Sequence, residues 1–258
     1  MGATTHDVAI GTDTVTKTYV RWDREEPERE WAALSLLAEH APGLAPTPLS
    51  RGTEPPSLTM TRLPGAEPSG PLTPAQTWAF GAALRRMYDV PLPDDLPERR
   101  FGTSLWADNV RAWAEESIAP PGVVDDALTA ARDWLDATTA PEPGRRVLGL
   151  ADGNLANVLL DHDRCRLVDF EAAGVSDVAF EVADVLEHLS GRLPGWLDEP
   201  AFLDAVGLDA TERARVSAYR PSYAAFWLLM LLPGNPAHHR NPPGTLENQA
   251  RHVLHLLA

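Results

Sequence analysis

The sequence predicts an α+β protein built as two lobes, a small β-rich lobe over residues 1–64 and a larger helical lobe over residues 65–258. Three observations predict it. Residues 7–20 hold β-branched runs around a Gly-Thr-Asp turn, the apolar period lengthens from two to between three and four near residue 72, and one short β-hairpin lies among the helical segments.

Each element follows from local chemistry. Residues 7–10 and 14–20 flank the turn at 11–13 and read as a hairpin. Pro27 at a first helical position, with Glu28 and Glu30 in the first turn, starts a helix carrying Trp31, Leu34 and Ala38 on one face. Ala-Pro-Gly at 41–43 ends it, and residues 58–63 form a strand stopped by Pro64 and Gly65. Thr73 and Pro74 start a helix with Phe80, Leu84 and Met87 on one side. A helix near 121–137 repeats the pattern with Val124, Leu128, Ala131 and Leu135, and others follow Ala179 and span about 211–232. Residues 157–160 and 164–170, joined by Asp-His-Asp, are the embedded hairpin, with His162 at its solvated tip.

Composition excludes several classes. With 37 acidic against 22 basic side chains and a net charge of −15, the chain lacks the clustered Lys and Arg that nucleic acids require. The longest apolar run, residues 223–232, is far too short to cross a membrane and reads as a buried helix. The single cysteine, Cys165, makes no intramolecular disulfide, so a reducing, cytoplasmic setting is expected. No GxxxxGK, GxGxxG or GxSxG string is present. His238 and His239 have no ligand-spaced partner and read as plain loop, and Trp78, Trp106, Trp113, Trp134 and Trp227 read as core or pocket wall.

The residues that carry chemistry surround the embedded hairpin. Asp152 and Asn157 are separated by four residues, and Asp169 lies at the far end of the hairpin. Phosphoryl transfer needs such a set: one carboxylate to accept the proton of an attacking hydroxyl, and an amide oxygen plus a second carboxylate to hold Mg²⁺. Folding the hairpin back returns Asp169 to the neighbourhood of Asn157. Upstream, Lys17 on a strand and Glu30 on the next helix match the lysine and glutamate whose ion pair positions nucleotide phosphates.

The stretch from Asp152 to Glu181 resembles the aminoglycoside phosphotransferase and choline kinase family, whose signature runs HGD, four residues, N, then DWE or DFE, then GDP and DLA. Here the segments read LAD, GNLA, N, then DFE at 169–171, SDV at 176–178 and EVA at 181–183, at the family's intervals. EREWAALSLL with GLAPTP resembles the family's glutamate-bearing helix and the loop after it, and SLTMTRLPG its strand into the interlobe hinge. The resemblance implies a bilobal protein-kinase-like fold and an enzyme that moves the γ-phosphoryl group of ATP (or GTP), with Mg²⁺, to a hydroxyl of a small molecule. By it Asp152 is the catalytic base, Asn157 and Asp169 are the metal ligands, and Lys17 and Glu30 hold the phosphates. Met60 would lie behind the adenine, and backbone groups of Thr61 and Leu63 would bond it.

The implied acceptor is a cationic, aminoglycoside-like antibiotic bound by acids such as Glu171, Asp198 and Glu199. The alternatives are an amino alcohol, a nucleoside or peptide antibiotic, or a catalytically impaired protein of the same fold that only binds its ligand. Three departures stand out: Leu150 occupies the family histidine's place, Glu181 the DLA aspartate's, and only about six residues precede the first strand. The small lobe is thus expected to be truncated, with its phosphate-covering loop reduced or missing. A monomer or weak dimer is expected.

Overall fold

The computed structural model describes residues 6–20, 25–139, 141–142 and 144–258. The expected opening hairpin forms as β1 (Asp7–Ile10) and β2 (Thr14–Thr18), antiparallel with Val8 opposite Lys17. Helix α1 (Glu26–His40) follows, then β3 (Pro48–Thr53) and β4 (Pro56–Thr61). The four strands make one antiparallel sheet in the order β1-β2-β4-β3. Strand β2 is therefore central, which buries Lys17, while β1 is an exposed edge.

Three details of this lobe differ from expectation. Strand β3 was not anticipated, because PLSRGT offers no alternation and all but its first residue are exposed. Helix α1 begins at Glu26, so its first-turn acids are Glu26 and Glu28 and Glu30 falls in the second turn. Its buried stripe is Ala33, Leu34, Leu36 and Leu37, whereas Trp31 is half-buried beneath the Arg51 guanidinium, 4.6 Å from its ring centre. The stripe turns inward toward Glu30, and the indole is left to the sheet surface.

Among the described residues beyond β4, four short strands stand in a mostly helical lobe. Helix α2 (Pro74–Tyr88) starts as expected, on a capping box in which Thr73 and Gln76 satisfy each other's backbone amides. Helices α3 (Thr103–Glu116) and α4 (Val123–Ala137) follow. The buried positions of α4, Val124, Ala127, Leu128, Ala131 and Leu135, keep the helical spacing. Strands β5 (Arg146–Gly149) and β8 (Gly174–Asp177) pair antiparallel and bracket the embedded hairpin, β6 (Val158–Asp161) and β7 (Arg164–Leu167).

Helix α5 (Val178–Glu187) is buried at every residue, as an otherwise apolar helix carrying three acids can be only when those acids are paired. The short α6 (Leu189–Arg192) and α7 (Glu199–Val206) lead to α8 (Ala210–Leu231), which packs against α5 and contains the apolar run. The chain ends in α9 (Pro236–Arg240) and α10 (Thr245–Leu257). His238 and His239 lie in α9 instead of a loop, and the His238 ring bonds Leu231 O at 2.8 Å. Among the described residues no helix is long and apolar enough to cross a membrane. Cys165 is a buried free thiol, and burial pushes it up to about 12.

Candidate active site

Lys17 is fixed by its neighbours on both sides, Val8 on β1 and Leu58 on β4. Its ammonium donates to Glu30 Oε2 at 3.0 Å, Asp169 Oδ1 at 2.5 Å and Glu171 Oε2 at 2.6 Å. These three partners use all three of its donors. Burial alone would lower the ammonium, but Glu30, then Asp169 and Glu171, outweigh it and hold it above its ordinary value. Glu30 in turn accepts from Tyr19 Oη at 2.6 Å and from the Phe170 amide at 3.2 Å. One buried carboxylate thus joins the small sheet to the segment that carries Asp169.

Asp152 sits on the loop between β5 and the 3₁₀ turn at Leu155–Asn157. The loop is held by backbone. Ala151 adopts φ 66, a left-handed conformation costly for a residue with a Cβ, and it is clamped from both sides. Its amide donates to Glu181 Oε2 at 3.1 Å, and its carbonyl accepts from Arg99 Nη2 at 3.3 Å. Arg99, itself buried, also donates to Glu181 Oε1 at 2.5 Å and Asp184 Oδ2 at 3.1 Å. A Cβ on Gly153 would lie 2.6 Å from the Asp184 carbonyl carbon and oxygen, so only glycine lets the loop meet α5. Leu150 is buried, and with Glu181 on the next amide the loop is anchored without a histidine at 150.

The Asp152 carboxylate accepts from the Asn154 amide at 3.0 Å. Solvent reaches one side of it, yet the protein packed around the other pushes it up to about 6, against the Asn154 amide and the Asn157 side chain, with Asp169 adding its repulsion. Asn157 is buried at the end of the 3₁₀ turn, and its carbonyl accepts from the Val168 amide at 3.0 Å. That bond closes the hairpin onto the loop, one residue before Asp169. Asp169 has φ 69, which turns its side chain out of the strand toward Lys17. The hairpin therefore brings Asp152, Asn157 and Asp169 together, as its length implied.

The donor set suits Mg²⁺. Asn157 and Asp169 supply hard oxygens, and the buried Asn157 Nδ2 makes no full hydrogen bond, its side chain doing no more than favouring the ionised Asp152 carboxylate beside it. Lys17 takes Oδ1 of Asp169, leaving Oδ2.

Met60 is buried in β4, opposite Val15. The Thr61 amide already donates to Thr47 O at 2.9 Å, so a base could not use that amide, while Leu63 lies half-buried in the irregular segment beyond the strand. The acids expected around an acceptor are used inside the protein. Glu171 pairs with Lys17 and, at 2.9 Å, with His6 Nε2; Asp198 caps α7; and Glu199 accepts from Arg220 at 2.6 Å. His6, Tyr19, Arg99, Asp184 and His188 were not foreseen. Tyr19 could have been, lying two residues beyond Lys17 on the same strand face. Arg99 gives no signal, because it belongs to an irregular segment.

A family model described as "Phosphotransferase enzyme family" matches residues 6–220. The chain belongs to the phosphotransferase enzyme family. The fold of this phosphotransferase is also that of solved structures at low identity. A choline/ethanolamine kinase family protein from Mesorhizobium loti matches with a TM-score of 0.68 at 17% identity, covering 100% of this chain and 86% of that one. Choline kinase LicA from Streptococcus pneumoniae gives 0.65 at 14%, over 100% and 91%. Spectinomycin phosphotransferase APH(9)-Ia, solved with ADP and spectinomycin, gives 0.63 at 13%, over 98% and 91%. No curated protein matches the phosphotransferase. The solved neighbours of this phosphotransferase include both antibiotic and amino-alcohol kinases.

Proposed function

We propose that the protein transfers the γ-phosphoryl group of ATP or GTP to a hydroxyl of a small molecule, with residues 1–64 holding the nucleotide and residues 65–258 supplying the catalytic loop and the acceptor site. The observation that supports this reading is the reach of Lys17 to both Glu30 and Asp169, with Asp152 near enough to Asn157 and Asp169 for both to act on its acidity. Asp152 orients the acceptor hydroxyl and takes its proton as the oxygen attacks the γ-phosphorus. The bond from that phosphorus to the β,γ-bridging oxygen breaks, and the nucleoside diphosphate leaves. Asn157 and Asp169 hold Mg²⁺, which when bound offsets charge on the phosphates. Lys17, steadied by Glu30, steers the α- and β-phosphates, and Met60 and the Leu63 backbone bound the base, with Thr61 contributing its carbonyl.

An aminoglycoside-like antibiotic is the first acceptor to test, given the −15 charge. A nucleoside is the second, favoured because Glu171, Asp198 and Glu199 are turned to internal partners and offer a cation no anionic wall; an amino alcohol is the third. The experiment is a panel of hydroxylated antibiotics, amino alcohols and nucleosides with Mg-ATP and Mg-GTP, read by mass spectrometry for phosphate added to the acceptor. No phosphorylated acceptor together with no thermal shift by either Mg-nucleotide would overturn the reading. A shift without transfer would mark a protein that only binds.

A further inference from the structure

His188 stands at the C-terminus of α5, where α5 passes behind the catalytic loop. Its ring is fixed on three sides. The Ser190 amide donates to Nδ1 at 3.2 Å, the Ser190 hydroxyl lies 2.7 Å from the same nitrogen, and the Trp227 ring meets the imidazole edge-on at 4.6 Å between centres, 87° between planes. The backbone amide can only donate, so Nδ1 must accept, and in the neutral ring the proton then sits on Nε2. Burial lowers the imidazole to about 4, with Asp184 pulling the other way, so the neutral form holds near pH 7. Nε2 is 3.6 Å from Asp152 Oδ1.

Two donors therefore face one oxygen of Asp152. The Asn154 amide already reaches Oδ1 at 3.0 Å, and His188 Nε2 lies 3.6 Å from the same oxygen, just beyond the reach of a full hydrogen bond. Oδ2 is the oxygen that neither touches. Such contacts tighten when a substrate closes the site. The same histidine is also tied to the loop's other end, because Ser190 Oγ accepts from the Leu155 amide at 2.9 Å, two residues before Asn157. Leu150, apolar and buried two residues before Asp152, offers no polar contact of this kind.

We propose that His188 is a positioning residue for phosphoryl transfer, its Nε2–H holding Asp152 by Oδ1 so that Oδ2 faces the acceptor hydroxyl. This rests on Asp152 being the proton acceptor. The plain alternative is that His188 only caps α6 by accepting from Ser190.

Two substitutions part these roles. In His188→Asn the shorter side chain still accepts from the Ser190 amide but stops short of Asp152. In His188→Gln the amide nitrogen reaches about as far as Nε2 but the cap is lost. Kinetics with the acceptor identified by the panel should show His188→Asn lowering kcat about ten- to hundredfold, with KM for Mg-nucleotide within about twofold of the parent. His188→Gln should recover most of that loss. The opposite order, Asn active and Gln impaired, would overturn the proposal in favour of a cap.

A second measurement is independent of turnover. In the full chain labelled with ¹⁵N-histidine, His188 is expected to carry its proton on Nε2 and to shift its Nε2–H resonance in Asp152→Ala. A proton on Nδ1, or no response to Asp152→Ala, overturns the proposal. If Asp152→Asn keeps full turnover, the role of Asp152 itself has failed. If Asp152→Asn is dead while His188→Asn is fully active, only the role of His188 has.

Discussion

Asp152 carries two predictions that pull apart. To accept a proton it must be ionised, and with its acidity moved to about 6, turnover should fall roughly tenfold per pH unit below that value and level off above it. Asp152→Asn is expected to abolish transfer while leaving the thermal shift by Mg-nucleotide in place; transfer at a comparable rate would remove Asp152 from the mechanism. The sign for stability is the reverse of the usual carboxylate. The folded protein binds this proton more readily than the unfolded chain, so the associated stability is present at acid pH and is lost as pH rises through about 6. Asp152→Asn should therefore raise Tm at pH 7 to 8 and not at pH 4, by calorimetry; an equal gain at both would refute that account. Glu171 makes a different case. Lys17 has no donor left for a phosphate until Asp169 or Glu171 lets go. Glu171→Gln should thus tighten nucleotide binding by about fivefold, equivalent to about 1 kcal/mol, measured by isothermal titration.

At the scale of elements, the catalytic loop and α5 behave as one piece. Gly153→Ala puts a Cβ against the backbone of Asp184 and Val185, which cannot swing aside as a side-chain tip can. A loss of about 1–3 kcal/mol in urea unfolding is expected, with turnover falling further than stability because the loop is displaced. Elements with a strong period or a cap were legible in the sequence: α2 from Thr73, Pro74 and its apolar face, α4 from Val124, Leu128, Ala131 and Leu135, and the β6–β7 hairpin from its turn. Strands β5 and β8 were not, because four-residue strands buried on both faces show no alternation, and RVLG and GVSD become strands only by pairing with each other. Within the candidate site, Asp152, Asn157 and Asp169 were legible from their spacing around the hairpin, and Lys17 and Glu30 as a strand lysine followed by an acid-bearing helix. Arg99 and His188 were not. Neither sits in such a pattern, and only the packed fold joins them to the loop.

For the molecule as a whole, charged side chains of both signs crowd into the cleft. Glu26, Glu30, Asp169 and Glu171 converge on Lys17, Arg100 and His6, and the chain's net charge is already −15. Folding thus brings several acids of like charge close together, which works against the compact state. MgCl₂ is expected to raise Tm more than NaCl at equal ionic strength, and Asp169→Asn should lose that difference in differential scanning fluorimetry. An equal response to both salts would mean general screening and nothing held at the cleft.

The bracketing pair β5–β8 has a consequence for how this protein can be rebuilt. Gly149 stands opposite Gly174, so the chain leaves for its reactive excursion and returns through a single doorway. A stretch whose two ends are neighbours can be exchanged for another of equal span only if Gly153 is kept against α5 and the seat of β7 on α2 is rebuilt with it.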